Sequence, residues 1–136
     1  MYKDIATKIA MSFIGTPYLW GGDNPKGFDC SGFVIEILKS TGRLPIKGDW
    51  TAQGLWDKFE YNEVTFAQEG CLVFWGKDKK HITHVEYCID DDLSIGASGG
   101  GMHTITIQDA FDQDAFIKVR PFRSRMPLCF VDPFMR

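Results

Sequence analysis

The sequence lacks an apolar run long enough to cross a membrane, an excess of basic residues and any low-complexity tract. A membrane span needs about 20 apolar residues, and a nucleic-acid-binding domain typically shows a basic patch. With 15 Lys and Arg against 18 Asp and Glu, the net charge is −3, so neither class of protein is favoured. The first residues do not have the basic-then-apolar order of a signal peptide, which predicts synthesis in the cytoplasm.

Cysteine is scarce as well, with four residues and no CxxC pair. A zinc site is disfavoured because its candidate ligands have no standard spacing; these are Cys71, His81, His84 and Cys88. An even number of cysteines permits disulfides, but nothing in the sequence indicates secretion. Three of the cysteines lie in apolar stretches, which is typical of buried thiols: Cys71, Cys88 and Cys129. We therefore expect no metal and no other cofactor.

The sequence does contain a helix-rich first half followed by short strands. Apolar residues at helical spacing predict helices near 2–14, 30–41 and 51–59, the last with Asp49 as a candidate cap. Alternation with period two predicts five strands, at 71–75, 84–89, 93–97, 103–107 and 116–120. Helices followed by antiparallel strands indicate a single α+β domain over residues 1–136. The tail, residues 123–136, either packs back on this domain or docks on another protein.

The segment DCSGFV places Cys30 at the start of the second predicted helix. Asp29 is a natural N-cap, and Cys30 shares one helix face with Phe33 and Val34. Unpaired N–H groups and the positive end of the helix dipole stabilise a thiolate at such a position. A nucleophilic cysteine also needs a base, and His84 opens an apolar strand. From position alone, a simple packing role for Cys30 stays open.

The run from Gly15 to Val34, GTPYLWGG followed by GFDCSGFV, resembles the signature of NlpC-type cell-wall cysteine peptidases. Further segments resemble that family in the same order: TAQ at 51–53, EGCLVFW at 69–75, THV at 83–85 and IGASG at 95–99. The resemblance covers about residues 15–107. It implies a papain-like α+β fold, with N-terminal helices packed on an antiparallel sheet of about five strands and the nucleophile at a helix N-terminus.

The resemblance also implies roles for single residues. Cys30 corresponds to the nucleophile, His84 to the general base and Tyr18 to a tyrosine near the oxyanion. Three residues that flank the nucleophile or shape its loop are expected to line the substrate site: Trp20, Asp29 and Ser31. For Asp29, a role as helix cap alone stays open. The family needs no metal or organic cofactor.

The sequence departs from the family where a third polar residue usually orients the base, because that slot holds Gly96. Suppose that the predicted strands 93–97 and 103–107 form a hairpin. His103 then lies opposite Gly96 on the same face, from which its imidazole can reach His84. We therefore predict that His103 orients the base, with a surface position for His103 as the alternative. A slip of one residue in register would turn His103 to the other face.

Two other positions depart from the family pattern. Cys71 stands where the family usually has Asp, and Glu86 stands where Gly is common. Glu86 follows His84 by two residues and therefore lies on the same strand face. It is expected to contact substrate or His84, with a solvent-facing position as the alternative.

The leading interpretation is a cysteine-nucleophile hydrolase of peptidoglycan stem peptides, a family that typically cuts between γ-D-glutamate and the following diamino acid. Two alternatives stay open: an amidase, deamidase or acyltransferase on a non-wall substrate, and a non-catalytic member, which Gly96 favours. A sequence that covers little more than a catalytic unit suits a phage or prophage lysin, a tail-associated wall hydrolase or a delivered effector, and a piece of a larger wall protein would look the same. It is then expected to act at the wall or in the periplasm after lysis or delivery. No nucleic-acid partner is expected, and the oligomeric state stays open.

Overall fold

The computed structural model describes residues 2–24 and 27–135, which form helices packed against an antiparallel sheet. The helices are α1 Tyr2–Ser12, α2 Cys30–Ser40, α3 Ala52–Phe59 and α4 Ile107–Asp112. The strands are β1 Asp23–Asn24, β2 Gly27–Phe28, β3 Glu63–Val64, β4 Leu72–Gly76, β5 Ile82–Cys88, β6 Leu93–Ser98, β7 Phe116–Pro121 and β8 Cys129–Val131. Within the described ranges, no helix combines the length and apolar character that a membrane span needs.

The main sheet has six strands in the order β3-β8-β4-β5-β6-β7, and every neighbouring pair is antiparallel. The strand β8 comes from the C-terminal segment and lies between β3 and β4, where Val131 pairs with both Glu63 and Leu72. Two of the six strands, β3 and β8, are not among those that the sequence predicts, because only long-range pairing identifies such short segments as strands. The α+β layout is the expected one.

The core lies between the helices and the sheet. The helices α2 and α3 pack against β5, and α1 packs against α2. Edge-to-face aromatic contacts fill this layer, among them Phe28 with Phe33 and Trp56 with Phe74. A smaller apolar cluster contains Cys71, Cys88 and Phe122. All three cysteines predicted to be buried are buried free thiols.

Local capping decides where the helices begin. Thr51, rather than Asp49, caps α3, because its side chain accepts a hydrogen bond from the N–H of Gly54 at 3.0 Å. The Asp49 carboxylate instead accepts from the N–H of Trp50 at 2.9 Å. A short polar side chain directly before the first helical residue satisfies an otherwise unpaired helix donor.

The predicted strand at 103–107 is wrong, and so is the hairpin built on it. The alternating segment HTITI enters α4, which begins with a reciprocal capping box between Thr106 and Asp109. The partner of β6 is β7, so that Gly96 pairs with Lys118. Alternation over five residues suggested a strand, but the Thr-x-x-Asp pattern satisfies two helix donors and starts a helix there.

Candidate active site

Cys30 is the first residue of α2, and its neighbours hold the start of that helix in place. The Asp29 side chain caps the helix by accepting a hydrogen bond from the backbone N–H of Gly32 at 2.6 Å. Ser31 Oγ donates to the same carboxylate oxygen at 3.3 Å. A Cβ at position 32 would collide with the carbonyl oxygen of Gly22, so the glycine lets the preceding loop pack directly on the helix start. The loop and the cap together fix the position of the thiol.

Cys30 and His84, which lies on β5, line the same cleft and are close enough for Cys30 to affect the ionisation of the imidazole. Burial by itself would lower the pKa of His84, but hydrogen bonds with Cys30 and Glu86 outweigh burial and raise that pKa from 6.5 to about 9. The Trp75 ring lies 5.3 Å from the imidazole, centroid to centroid, and limits how the imidazole can turn. The arrangement favours a protonated His84 beside Cys30, and a histidine next to a cysteine is the pairing that nucleophilic cysteines need.

Glu86 lies beneath His84 rather than in the cleft. Its side chain is 1% exposed, and its Oε2 lies 2.6 Å from His84 Nε2. Burial alone would raise the pKa of this carboxyl, but hydrogen bonds with His84 and Arg125 lower it from 4.5 to about 2. Glu86 is not among the residues that line the two clefts, so its contact with substrate stays a prediction, whereas the expected contact with His84 is present.

Cys30 lies on the wall between two adjoining clefts. One cleft of about 420 Å³ includes His84; the other, of about 340 Å³, includes Asp29 and Ser31. Four residues line both clefts: Tyr18, Trp20, Cys30 and Thr83. A peptide laid along this groove would pass the thiol with one part in each cleft, which is the geometry that attack on an internal amide requires.

Tyr18 lies beside the nucleophile and is 6% exposed. Burial, together with the nearby groups of Cys30 and Asp29, raises the pKa of its phenol to about 12. A phenol with so high a pKa keeps its proton and remains a hydrogen-bond donor. With the N–H groups at the start of α2, it can donate to an oxyanion formed at the thiol.

His103 has a different position from the one predicted. It lies in the exposed loop before α4, and its carbonyl oxygen accepts a hydrogen bond from Gln113 Nε2 at 3.5 Å. Since Gly96 is paired with Lys118, the predicted approach of His103 over Gly96 does not occur. Nε2 of the base is bonded to Glu86 instead. Trp20 lines both clefts, and Asp29 and Ser31 line the smaller one; their contact with substrate stays a prediction.

The candidate zinc ligands do not converge. His81 is exposed and bonded to Asp78 at 2.7 Å, whereas Cys71 and Cys88 are buried in the smaller apolar cluster. Within 2–24 and 27–135, no group of three or more His, Cys, Asp or Glu side chains is placed to hold a metal ion.

With this geometry in place, comparison with known proteins gives a consistent result. The model of the NlpC/P60 family matches residues 15–121. The chain belongs to the NlpC/P60 family. That membership confirms the resemblance drawn from the sequence and assigns the domain to a family of cysteine peptidases.

Among curated relatives, a probable peptidoglycan endopeptidase LytE from Bacillus subtilis is 27% identical over 116 residues, which is 83% of this chain and 32% of that protein. A gamma-D-glutamyl-L-lysine dipeptidyl-peptidase from Bacillus subtilis is 60% identical over 30 residues, 22% of this chain and 10% of that protein. The NlpC/P60 chain therefore spans about a third or less of the length of these relatives.

The crystal structure of the NlpC/p60 domain of the peptidoglycan hydrolase SagA superposes with a TM-score of 0.74 at 27% identity, covering 95% of this chain and 97% of that one. This superposition confirms the papain-like NlpC-type fold.

Sequence reasoning missed the residues that surround Glu86. Arg125 and Ser94 both bond to its carboxylate, and they come from a short 3-10 turn, Arg123–Arg125, and from β6. The sequence does show a glycine at position 96, but that glycine was interpreted as leaving space for His103. One signal was present. Glu86 follows the base by two residues, so it lies on the same strand face as His84, and it faces Gly96.

Proposed function

We propose that this domain is a cysteine endopeptidase that hydrolyses the amide bond between γ-D-glutamate and the following diamino acid of peptidoglycan stem peptides. The observation that carries the proposal is that Cys30 lines two adjoining clefts while His84, the candidate base, lines one of them beside it. The names of the relatives above, a peptidoglycan endopeptidase and a γ-D-glutamyl-L-lysine dipeptidyl-peptidase, support the substrate class and the bond.

In the first half of the reaction, the Cys30 thiolate attacks the carbonyl carbon of the γ-D-glutamyl amide. The oxyanion that forms accepts hydrogen bonds from the Tyr18 hydroxyl and from N–H groups at the start of α2. The tetrahedral intermediate collapses as the His84 imidazolium gives its proton to the amine of the diamino acid. The carbon–nitrogen bond breaks, the amine leaves, and a thioester joins the glutamyl group to the enzyme.

In the second half, water attacks the thioester and neutral His84 takes its proton. The carbon–sulfur bond breaks, which releases the γ-carboxylate of glutamate and restores the thiolate beside the imidazolium. Each step needs groups that the described site already contains. We infer that the site works without a metal.

The charge of the larger cleft supports an acidic substrate. Arg120 lines this cleft, and its side chain is 40% exposed. A γ-linked glutamate carries a free α-carboxylate, which three carbon atoms separate from the carbonyl carbon of the scissile amide. A guanidinium matches a carboxylate in geometry and charge, so we propose that Arg120 attracts carboxylates of the stem peptide.

The experiment is digestion of purified sacculi by the wild-type domain, by Cys30→Ala and by Cys129→Ala, followed by mass spectrometry of the released peptides. Cys129 is a buried thiol in β8, so its variant controls for the loss of a thiol as such. We expect wild type and Cys129→Ala to release fragments with a new amino terminus at the diamino acid. Cys30→Ala should release none.

The outcomes separate the parts of the proposal. Cleavage between muramic acid and L-alanine, or at the cross-link, would contradict the proposed bond while keeping the wall hydrolase. Release of the same fragments by Cys30→Ala would contradict the nucleophile. If no fragments appear although iodoacetamide still alkylates Cys30 rapidly, the peptidoglycan substrate is wrong and the thiol acts on another acyl compound.

A further inference from the structure

The buried carboxylate of Glu86 is the least expected charge in this domain. It stands on β5 two residues after His84, is 1% exposed and lies 2.6 Å from the imidazole Nε2. Nε2 is thus occupied by the carboxylate, which leaves Nδ1 as the ring nitrogen available to face Cys30. A charged carboxylate is costly to bury unless every oxygen is paired, so the partners of Glu86 indicate what holds it there.

Three donors besides His84 surround the carboxylate. Arg125 forms a two-point clamp, Nη1 to Oε2 and Nη2 to Oε1, both at 3.0 Å. Ser94 Oγ donates to Oε1 at 2.6 Å, and Arg120 Nη2 lies 3.5 Å from Oε2. Bidentate guanidinium–carboxylate pairs fix orientation as well as position, so the carboxylate has little freedom to turn away from His84.

The clamp is itself held in place. Arg125 Nε donates to the carbonyl oxygen of Pro121 at 2.9 Å, and its guanidinium carbon lies 4.6 Å from the centroid of the Trp75 ring. That ring also packs on His84. The guanidinium and the base therefore lie against one aromatic side chain, and Glu86 connects them by hydrogen bonds.

Gly96 provides the space that Glu86 occupies. Continuing the register beyond the pair Tyr87–Ile95 places Glu86 directly opposite Gly96 on β6. A Cβ at position 96 would lie only 2.5 Å from Glu86 Cδ and 2.9 Å from its Oε2. The space beside Gly96 is thus filled by the carboxylate of Glu86 from the neighbouring strand, not by His103.

We propose that Glu86 is the positioning residue of the base: it holds the His84 ring toward Cys30 and stabilises the imidazolium, Gly96 gives it room, and Arg125 with Ser94 fixes it. The inference rests on the proposed function for its catalytic meaning. The third residue of the site, Glu86, then lies on the same strand as the histidine that it positions. The carboxylate touches no substrate and acts through His84.

The test measures alkylation of Cys30 by iodoacetamide as a function of pH, a reaction that needs no wall substrate. Only the thiolate reacts appreciably. In Glu86→Gln the side chain keeps its size but loses its charge, so the imidazolium and the thiolate beside it become less stable near neutral pH. We expect the rate at pH 7 to fall, because the imidazolium that supports the thiolate loses the carboxylate that stabilises it. Above pH 9 the two rates should converge.

Glu63→Gln is the matched control, because it removes one carboxylate from an exposed ion pair with Lys79. Its alkylation profile should equal that of the wild type. Glu86→Asp, which keeps the charge but shortens the side chain, should recover part of the rate at pH 7. A Glu86→Gln profile equal to that of the wild type across the pH range would overturn the proposal.

A second measurement uses the wild-type protein and needs no folded variant. The chain has three histidines, so ¹⁵N spectra of the imidazole nitrogens are simple. We expect one imidazole to stay doubly protonated well above pH 7. If all three imidazoles lose a proton near pH 6.5, the proposal is refuted. Failure of sacculus digestion with an altered Glu86→Gln profile would leave the positioning role standing and refute the substrate alone.

Discussion

Replacing Gly96 by alanine tests the close packing around Glu86 most directly. The new Cβ would lie 2.5 Å from Glu86 Cδ, whereas ordinary contact begins at 3.4 Å, so the carboxylate or the strand must move by roughly 1 Å. Glu86 cannot move that far without stretching its bonds to His84 and Arg125. In an open strand the same substitution would stabilise the protein by about 0.5–1 kcal/mol.

The expected loss has two bounds. If the strands adjust and the ion pairs survive, overpacking costs about 1–3 kcal/mol. If Glu86 loses its partners, an uncompensated buried charge costs about 3–5 kcal/mol. We therefore expect Gly96→Ala to lower the free energy of unfolding by about 1–5 kcal/mol in urea titrations at 25 °C. Its rate of peptide hydrolysis should fall in parallel, because the ring of His84 is no longer held.

Gly54→Ala is the control for a glycine substitution without a clash. A Cβ at position 54 in α3 would have its nearest contact at 3.4 Å, so stability and activity should be retained or stability slightly increased. In a Glu86→Ala background the cost of Gly96→Ala should nearly vanish, since the colliding atoms are gone. Wild-type stability and activity in Gly96→Ala alone would refute the reasoning.

Three further predictions follow from the site. The raised pKa of His84 contributes stability that is fully present below pH 6.5 and is lost as the pH rises to about 9. The lowered pKa of Glu86 contributes stability that is fully present above pH 4.5 and is lost as the pH falls to about 2. Urea unfolding should thus show the largest contribution of this pair to the free energy of unfolding between pH 4.5 and 6.5. A maximum of that free energy at another pH, present in both wild type and Glu86→Gln, would contradict this prediction. At pH 7.5 iodoacetamide should label Cys30 long before the three buried cysteines, because burial raises the pKa values of those three thiols. Equal labelling of all four cysteines in peptide mapping would refute this prediction. Asp29→Ala should cost about 1 kcal/mol of stability through loss of the helix cap, while Asp29→Ser, which can still cap, should recover most of it in the same urea titration.

Much of the nucleophile's surroundings could be predicted from the sequence. Asp29 as a cap, Cys30 as the first helical residue and the helix up to position 40 all follow from signals within one turn of each other. Such signals act through the backbone of the same segment, so no distant contact is needed to recognise them. The same is true of the strands β4 to β7, apart from shifts of one or two residues at their ends.

The errors lie where distant segments meet. The segment Cys129–Val131 carries three residues, too few for a pattern, and becomes a strand because β3 and β4 each offer it an open edge. The segment at 103–107 alternates like a strand, yet no neighbouring strand pairs with it and its capping box favours a helix. Secondary structure at these places depends on available partners more than on local preference.

The sequence by itself determined the chemistry: a thiol at a capped helix start, a histidine that opens a strand and an ordered set of family segments, because each is a property of neighbouring residues. The tertiary structure decided which group orients the histidine. Glu86, Ser94 and Arg125 are separated by up to 39 residues, and only the pairing of β5 with β6 and the turn before β8 bring them together around the space at Gly96. A missing side chain in a sequence shows that space exists, but the fold decides which neighbour fills it.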